Sequence, residues 1–227
     1  MGRNYKISCV SIPTLGDFND VAFFSNHFKL RDLELNQKLG WQLPSWEGYE
    51  YDDLDTPAAT YFIVRSDRKD PRFGDVAGAA RIVPTTCPTG YMLKNSFQHA
   101  VRYEQLPHTP RCWEGSVAVT NDSLPREERS HVFRLFAAAY LEFLVERKAE
   151  WMYGLAIQKI WDRWTQFGWP LTKLGPTVPF KDGTEGTAGK LPVSQLWLER
   201  ARVSAGLDAT TPILDYGNKA RQLALEG

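Results

Sequence analysis

Helical and strand patterns alternate along this sequence, and their order limits the choice of fold. Two strand patterns, residues 60–65 and 74–83, flank a polar turn and predict an antiparallel hairpin. A third strand pattern, residues 112–120, leads into a long amphipathic helix at 124–148. The remaining predicted elements are a helix at 17–39, a loop at 41–58, a strand at 150–156, a helix at 159–167, a strand at 191–201 and a short helix at 216–225. This order predicts an α/β (α+β) three-layer sandwich with a mixed, mostly antiparallel sheet.

The composition is that of an ordinary globular chain with no excess of either charge. The 227 residues include 27 basic and 27 acidic side chains. Phosphate binding favours a basic excess, so we expect no nucleic-acid partner. No stretch approaches the roughly 20 apolar residues that span a bilayer, so we expect no membrane span. No linker divides the chain, and we predict a single domain over residues 1–227.

Cysteine and histidine are too few and too scattered to indicate a metal site. The three cysteines (Cys9, Cys87 and Cys112) lack C-x-x-C spacing, and the 4 histidines form no ligand pattern. Free thiols are typical of a reducing compartment, and the first residues do not resemble a signal peptide. We therefore expect a cytoplasmic protein that holds no metal.

The segment at residues 47–55 is unusually acidic. Its five acids are Glu47, Glu50, Asp52, Asp53 and Asp55. Composition alone favours a solvated loop, because runs of charge are usually exposed. The functional alternative is a site for a cation. The glycine-punctuated spacing of a calcium loop is missing, whereas Trp41 and Trp46 nearby would suit an organic cation through cation–π contact.

Two charged residues lie inside apolar strand patterns. Glu114 is surrounded by Trp113, Val117 and Val119, and Arg81 lies in an apolar stretch of the preceding strand. A charge buried in a strand is costly unless it is paired. Both side chains could point outward, or both inward, where they would neutralise each other.

Nucleophilic and nucleotide-binding motifs are absent from the sequence. Ser116 lacks the second glycine of a G-x-S-x-G elbow. The segment at 121–130, which follows the third strand and includes the start of the long helix, contains no glycine. Acetyl-CoA N-acetyltransferases use a glycine-rich loop at this place to bind pyrophosphate. A thioester carrier would therefore be bound here in another way.

Five segments, taken in order, resemble the acyl-homoserine lactone synthase (autoinducer synthase) family. They are residues 30–41, 50–55, 78–93, 113–116 and 157–170. Within them, the residues that match the pattern of the family are Arg31, Trp41, Asp52, Asp55, Arg81 and Glu114. Two positions depart from it: Leu35 stands where the family usually has Phe, and Val117 replaces the Arg of W-E-x-S-R.

The resemblance implies a fold like the N-acetyltransferases and an acyltransferase that makes a quorum-sensing signal. The substrates would be S-adenosylmethionine and an acyl thioester on coenzyme A or acyl carrier protein. The products would be an N-acyl-homoserine lactone, methylthioadenosine and the free thiol. No further cofactor is implied, and the partners are small-molecule substrates together with acyl carrier protein as one of the two donors.

The resemblance also implies roles for the matched residues. Asp52 and Asp55 would hold the cationic groups of S-adenosylmethionine, and Trp41 would line its pocket. Arg31 and Arg81 would hold the substrate carboxylate and fix the acids. Glu114 would be the general base, acting through water, so the catalytic set is Glu114, Asp52 and Arg81. Because the Arg at 117 is missing, we expect a raised pKa for one acid of the set, with Glu114 the first candidate.

Four residues on the third and fourth predicted strands are candidates for the wall of an acyl pocket. They are Ala118, Tyr153, Leu155 and Ala156. Aromatic neighbours would narrow such a pocket, which favours a short, branched or aryl acyl group. Two other functions stay open: an enzyme that cyclises S-adenosylmethionine without acyl transfer, and a non-catalytic ligand-binding module of this fold.

Overall fold

The computed structural model describes residues 4–19, 21–180, 182–208 and 210–217. The strands in these ranges are β1 (Tyr5–Val10), β2 (Ser45–Trp46), β3 (Tyr49–Glu50), β4 (Thr60–Asp70), β5 (Gly74–Pro84), β6 (Cys112–Thr120), β7 (Trp151–Ile157), β8 (Thr172–Pro179), β9 (Glu185–Pro192) and β10 (Leu214–Asp215). The α-helices are α1 (Ala22–Arg31), α2 (Met92–Asn95), α3 (Arg126–Glu146), α4 (Gln158–Thr165) and α5 (Gln195–Ser204). A π-helical turn, Asp32–Lys38, continues α1 without a break.

Most predicted elements are confirmed, and one is wrong. The hairpin β4–β5, the strand β6 and the helix α3 lie where the periodicity predicted them. The predicted strand at 191–201 is instead mostly helix α5. Ser194 caps this helix by accepting a hydrogen bond from the Trp197 N–H, a signal that favours a helix start at this point. The predicted helix at 216–225 lies outside the described residues from 218 onward.

Three long strands were missed by the sequence patterns. β1 follows directly on the N-terminal residues, and β8 and β9 contain Gly175, Gly186 and Gly189. Glycine is poor in strands, so its presence hides them. A Cβ at Gly189 would come within 2.5 Å of Leu171 and 3.1 Å of the Trp161 ring. This glycine is therefore needed for the close approach of α4 to β9.

The chain forms two compact units. The first unit comprises Met1–Arg81, Val117–Val132 and Thr210–Gly227, and the second unit comprises Ile82–Ser116 and Phe133–Ala209. The strands β5 and β6 and the helix α3 contribute residues to both units. That the chain folds as one domain stays a prediction.

The first unit has the strand order β10–β1–β4–β5. β1 pairs parallel to β10 and antiparallel to β4. Helix α1 packs on this sheet through aromatic contacts, since the Tyr61 ring lies 5.3 Å from that of Phe24 and 4.9 Å from that of His27. Both Tyr61 and His27 are fully buried. The C-terminal end of α1, where Arg31 lies, is thereby fixed against β4.

The second unit has the strand order β6–β7–β9–β8. β6 and β7 are parallel, whereas β9 is antiparallel to both β7 and β8. The predicted mixed, mostly antiparallel sheet is confirmed. Successive side chains of a strand point to opposite faces. The Trp113 ring contacts Phe143 of α3 at 5.2 Å, so Glu114 points to the other face.

Helix α3 is the longest helix of the structure, with 21 residues. Its buried stripe includes a charged residue, Glu142, which is neutralised by Arg202 of α5 within the second unit. Across the part of the chain that the structure describes, no helix combines the length and the hydropathy needed to cross a membrane.

Buried His27 makes the stability of the protein depend on pH in a predictable direction. Burial and the charge of Arg31 lower its pKa from 6.5 to about 3. Below pH 6.5 the unfolded chain binds a proton that the native chain does not, so stability falls as the pH falls from 6.5 towards 3. The expected slope is at most about 1.4 kcal/mol per pH unit.

Urea denaturation at several pH values between 7 and 4 measures this contribution. We expect His27→Phe to flatten the pH dependence, because a phenyl ring suits the aromatic surroundings and does not titrate. His99→Phe at an exposed position is the matched control and should leave the slope unchanged. Equal slopes for His27→Phe and the unsubstituted protein would contradict this role.

Candidate functional site

A small hairpin holds the acidic segment in place. β2 and β3 pair antiparallel, with Trp46 opposite Tyr49 and Ser45 opposite Glu50. The turn residues Glu47 and Gly48 have φ angles of 52° and 80°, both in the left-handed region that tight hairpins require. Glu50 is fully buried while Trp46 is 68% exposed, so the hairpin has one inner and one outer face. The solvated-loop interpretation is therefore wrong for the inner face.

Arg31 is the first centre of a buried ion-pair network. Its Nε donates to Glu50 at 2.5 Å, and its Nη1 and Nη2 donate to the two Asp55 oxygens at 2.7 and 2.8 Å. The side chain of Arg31 is 1% exposed. All three nitrogens of the guanidinium are thus engaged, two of them in a bidentate pair with Asp55.

Arg81 at the second centre shares an acid with Arg31. Its Nη1 donates to Asp52 at 2.5 Å and to Asp55 at 2.8 Å, and its Nη2 donates to Asp52 at 2.8 Å. The Tyr61 hydroxyl donates to the same Asp55 oxygen at 2.8 Å. Asp55 therefore links α1, β4 and β5 with its own loop.

The pKa values of the shared carboxylate and of its neighbour Glu50 are shifted in opposite directions. Burial alone would raise the pKa of Asp55, but the hydrogen bond from Arg31 and the charges of both arginines hold that pKa well below its usual range. Burial raises the pKa of Glu50, and the single bond from Arg31 does not compensate. Oε1 of Glu50 is buried without a hydrogen-bond partner.

The charges of this network do not cancel. Two guanidinium groups face three carboxylates, those of Glu50, Asp52 and Asp55, which leaves one negative charge in excess when all are ionised. A ligand that brings a positive charge would balance the network. Oxygens of the three acids lie within 4.8 Å of one another, a spacing that a metal ion could use. Because five of the six carboxylate oxygens accept bonds from arginine, we expect an organic cation, and the absence of a metal stays a prediction.

Glu114 lies in the second unit and is fully buried. Its carboxylate accepts backbone N–H bonds from Met92 at 2.6 Å and from Leu93 at 2.8 Å, where helix α2 begins. The mutual ion pair of Arg81 and Glu114 that the sequence suggested stays a prediction. Two bonds fix both oxygens of the carboxylate in one orientation.

The other sequence-predicted residues lie at defined places. Trp41 is half-buried beyond the π-helical turn, and its backbone N–H donates to the Leu35 carbonyl at 3.1 Å. Leu35 itself is buried. The contact of Trp41 with a substrate stays a prediction.

The four acyl-pocket candidates lie on β6 and β7. Leu155 and Ala156 are half-buried near the end of β7, and Ala118 is half-buried on β6. Tyr153 is 4% exposed, and its hydroxyl donates to Glu104 at 3.0 Å. Their role in binding an acyl group stays a prediction.

The missing family arginine coincides with backbone strain. Val117 has a φ of 45°, in the left-handed region, although it lies inside β6. This conformation is a genuine outlier for a β-branched residue. The pairing of β6 with β7 ends at Glu114, three residues earlier. A single left-handed residue inside a strand is typical of a β-bulge, which interrupts regular pairing.

Three residues of the network in the first unit were missed by the sequence reasoning. Glu50 was counted among the acids but was not assigned to the site, and neither His27 nor Tyr61 was singled out. The spacing of Glu50 two residues before Asp52 was the only available signal for it. His27 lies one helical turn before Arg31, a spacing that places both on one face of α1.

Asp55 is expected to contribute strongly to stability. Asp55→Asn leaves Arg31 and Arg81 buried with one negative charge fewer, which we expect to cost about 3 kcal/mol at pH 7. Because the native pKa is lowered, this stabilisation is present above pH 4 and is lost as the pH falls. Chemical denaturation at pH 7 and at pH 3 measures both effects. Exposed Asp53→Asn is the control, and equal losses in the two variants would contradict the network.

The backbone strain at Val117 is expected to lower the stability of the protein. Val117→Gly removes the steric cost of the left-handed conformation, about 1 kcal/mol, and we expect higher thermal stability. Ala118→Gly, next to it in ordinary strand conformation, should lower stability by about 0.5 to 1 kcal/mol. Thermal unfolding of both variants decides the matter, because a loss at both positions would show that Val117 is not strained.

Comparisons with known proteins agree with the resemblance. A family model described as autoinducer synthase matches residues 18–200. An acyl-homoserine-lactone synthase of Vibrio anguillarum is 34% identical over 93 residues, which are 41% of this chain and 45% of that relative. The match therefore spans a little under half the length of this curated relative.

Solved structures share the fold at low sequence identity. The structure of BjaI, a CoA-dependent acyl-homoserine lactone synthase with MTA, has a TM-score of 0.78 and 21% identity, and 93% of both chains is covered. An acyl-CoA N-acyltransferase from Pseudomonas aeruginosa has a TM-score of 0.50 and 9% identity, with 82% of this chain and 98% of the other covered. The N-acetyltransferase-like fold is confirmed. From the family match over residues 18–200, the chain belongs to the autoinducer synthase family.

Proposed function

We propose that this protein is an N-acyl-homoserine lactone synthase that uses S-adenosylmethionine and an acyl thioester. The observation that carries the proposal is the buried network of Arg31, Glu50, Asp52, Asp55 and Arg81, with its excess of one negative charge. S-adenosylmethionine brings a sulfonium and an ammonium group, and so it would balance this charge. Membership of the autoinducer synthase family supports the same substrate class.

The reaction has two steps, and its atoms balance as follows. The ammonium group loses a proton, and the amine attacks the thioester carbonyl and displaces the thiol, which takes up the second proton of the amine. The substrate carboxylate then attacks the γ-carbon, and the bond to sulfur breaks with its electron pair going to the sulfonium. Methylthioadenosine leaves as a neutral thioether. The second step is intramolecular and gains from a fixed orientation.

Glu114 is the residue we assign to the first proton transfer, acting through water. Its two backbone donors hold both oxygens of the carboxylate in place. General bases contribute about 10²- to 10⁴-fold to the rate. In the first unit, Asp52 and Asp55 would hold the cationic groups, with Arg31 and Arg81 keeping the acids ionised and in position.

Coenzyme A and acyl carrier protein stay open as the carrier. In the turn after β6, two backbone N–H groups are already bonded within the turn. The Leu124 N–H donates to the Asn121 carbonyl, and the Ser123 N–H donates to the Asn121 side chain. A pyrophosphate would find few free amides there, in agreement with the absence of glycine. An exposed basic group, Arg147, Lys148 and Lys159, is a candidate contact for the carrier.

Product mass spectrometry tests the proposal. The protein is incubated with S-adenosylmethionine and a panel of acyl-coenzyme A and acyl-carrier-protein donors, including short, branched and aryl acyl groups. We expect equal amounts of N-acyl-homoserine lactone and methylthioadenosine, formed only with a thioester. Methylthioadenosine formed at the same rate without a thioester would overturn acyl transfer and favour the cyclising enzyme.

A variant separates catalysis from binding. Glu114→Gln should lower the rate at least 100-fold while binding of S-adenosylmethionine, measured by calorimetry, stays close to that of the unsubstituted protein. Exposed Glu185→Gln is the matched control. Binding without turnover in every condition would instead support a ligand-binding module.

A further inference from the structure

A second polar cluster in the second unit joins Tyr153, an acyl-pocket candidate, to Glu104 and Lys190, two residues to which the proposed reaction assigns no role. Glu104 accepts the Tyr153 hydroxyl at one oxygen and the Lys190 ammonium at the other. Tyr153 and Lys190 are register partners on β7 and β9, and Glu114 is the partner of Tyr153 on β6. The three side chains therefore lie in one row on the same face of the sheet.

The cluster is enclosed, although it carries charge. The side chains of Lys190 and Glu104 are 15% and 28% exposed. The Lys190 ammonium lies 4.6 Å from the centre of the Trp151 ring, a cation–π contact. An enclosed ion pair with an aromatic and a hydroxyl partner holds its members in one geometry more firmly than a surface pair does. Glu104 is thus a fixed point on an otherwise irregular segment.

The segment that contains Glu104 also holds the residues around Glu114. Three positions after Glu104, the Pro107 carbonyl accepts the hydroxyl of fully buried Tyr91 at 2.7 Å. Tyr91 immediately precedes Met92, whose N–H donates to Glu114. A continuous chain of residues thus runs from Glu104 through Pro107 and Tyr91 to the two donors of the Glu114 carboxylate.

The far end of the same segment is tied down separately. The Thr85 hydroxyl donates to the Thr109 carbonyl at 2.9 Å, and the Thr109 N–H donates to the Thr85 hydroxyl at 3.2 Å. Between Tyr103 and Thr109, two side chains hold the segment: Glu104, which contacts β7 and β9, and His108, whose Nδ1 lies 3.0 Å from the Thr85 carbonyl oxygen. Of the two, Glu104 is the one that ties Pro107 to the sheet row that contains Glu114.

We propose that Glu104 is a positioning residue, which holds the backbone N–H groups of Met92 and Leu93 on Glu114 by clamping residues 104–107 to Tyr153 and Lys190. The relevance of this clamp to catalysis rests on the proposed function, in which Glu114 is the base. The structural claim is independent of the proposed function, because it concerns only how firmly the Met92 and Leu93 amides are held.

Amide hydrogen exchange, followed by NMR, tests the clamp directly. In Glu104→Ala we expect the Met92 and Leu93 amides to exchange about tenfold faster, while amides of the β7–β9 ladder keep their protection. Glu104→Gln retains an acceptor for Tyr153 and should restore most of the protection. Glu150→Ala removes the exposed pair with Arg111 in the same unit and is the matched control.

Two results would overturn the proposal. One is exchange at Met92 and Leu93 that is the same in Glu104→Ala and Glu150→Ala. The other is a uniform loss of protection throughout the second unit, which would mean that Glu104 serves only overall stability. If Glu104→Ala does not fold, Tyr153→Phe removes a single hydroxyl from the cluster. Exchange at Met92 and Leu93 in that variant is then compared with exchange in Glu150→Ala.

Kinetics supplies the catalytic readout. In Glu104→Ala the Glu114 carboxylate is held less firmly, and we expect kcat to fall about tenfold with little change in KM for S-adenosylmethionine. Glu104→Gln should recover most of kcat. A rise in KM at unchanged kcat would overturn the positioning role. A protein that makes no lactone at all would refute the proposed function and leave the exchange result to decide on the clamp.

Discussion

The sharing of Asp55 between Arg31 and Arg81 is the interaction on which the first unit depends. Each arginine is almost completely buried, and a buried charge is tolerated only when it is paired and hydrogen-bonded. One carboxylate meets this requirement for both and also accepts the Tyr61 hydroxyl. The acidic segment is therefore part of the interior, and its charge is as much a condition of folding as of ligand binding.

In the second unit, the alternation of faces along β6 separates packing from chemistry. Trp113 faces α3, and Gly115 leaves room for Tyr140 on that same face. Glu114, between them, faces the segment that contains α2. A shift of one residue in the register would exchange these faces and bury Trp113 where the carboxylate belongs. The parallel pairing with β7 fixes the register at Cys112, Trp113 and Glu114.

Local periodicity was sufficient for elements whose apolar residues follow one pattern. The hairpin β4–β5, the strand β6 and the helix α3 were predicted because their own side chains carry the signal. Glycine-containing β8 and β9 were missed, since their strand conformation comes from pairing with each other and with β7. The segment 191–201 was predicted as a strand, whereas the cap at Ser194 starts the helix α5 within it.

Some residues of the candidate site could likewise be predicted from the sequence, and others could not. Asp52, Asp55, Arg81 and Glu114 were singled out by residue type, and the resemblance, which records residue types at fixed spacing, added Arg31 and a role for each residue. Glu50, His27 and Glu104 were not assigned a role, since each is recruited by a contact over a long stretch of chain or by burial. The partners of Glu104 are 49 and 86 residues away, and no local pattern could indicate them.

The ion-pair network has a consequence for how this sequence can change over time. A substitution that removes Arg31 leaves Glu50 without its ionic partner, and one that removes Arg81 does the same to Asp52, whereas the loss of any one acid still leaves each arginine a carboxylate. The loss of an arginine is therefore the more unfavourable single step, and a joint exchange that preserves the pairs is tolerated best. Positions 31, 50, 52, 55 and 81 should accordingly drift together among related chains, as one inherited block, while exposed Asp53 between them varies freely.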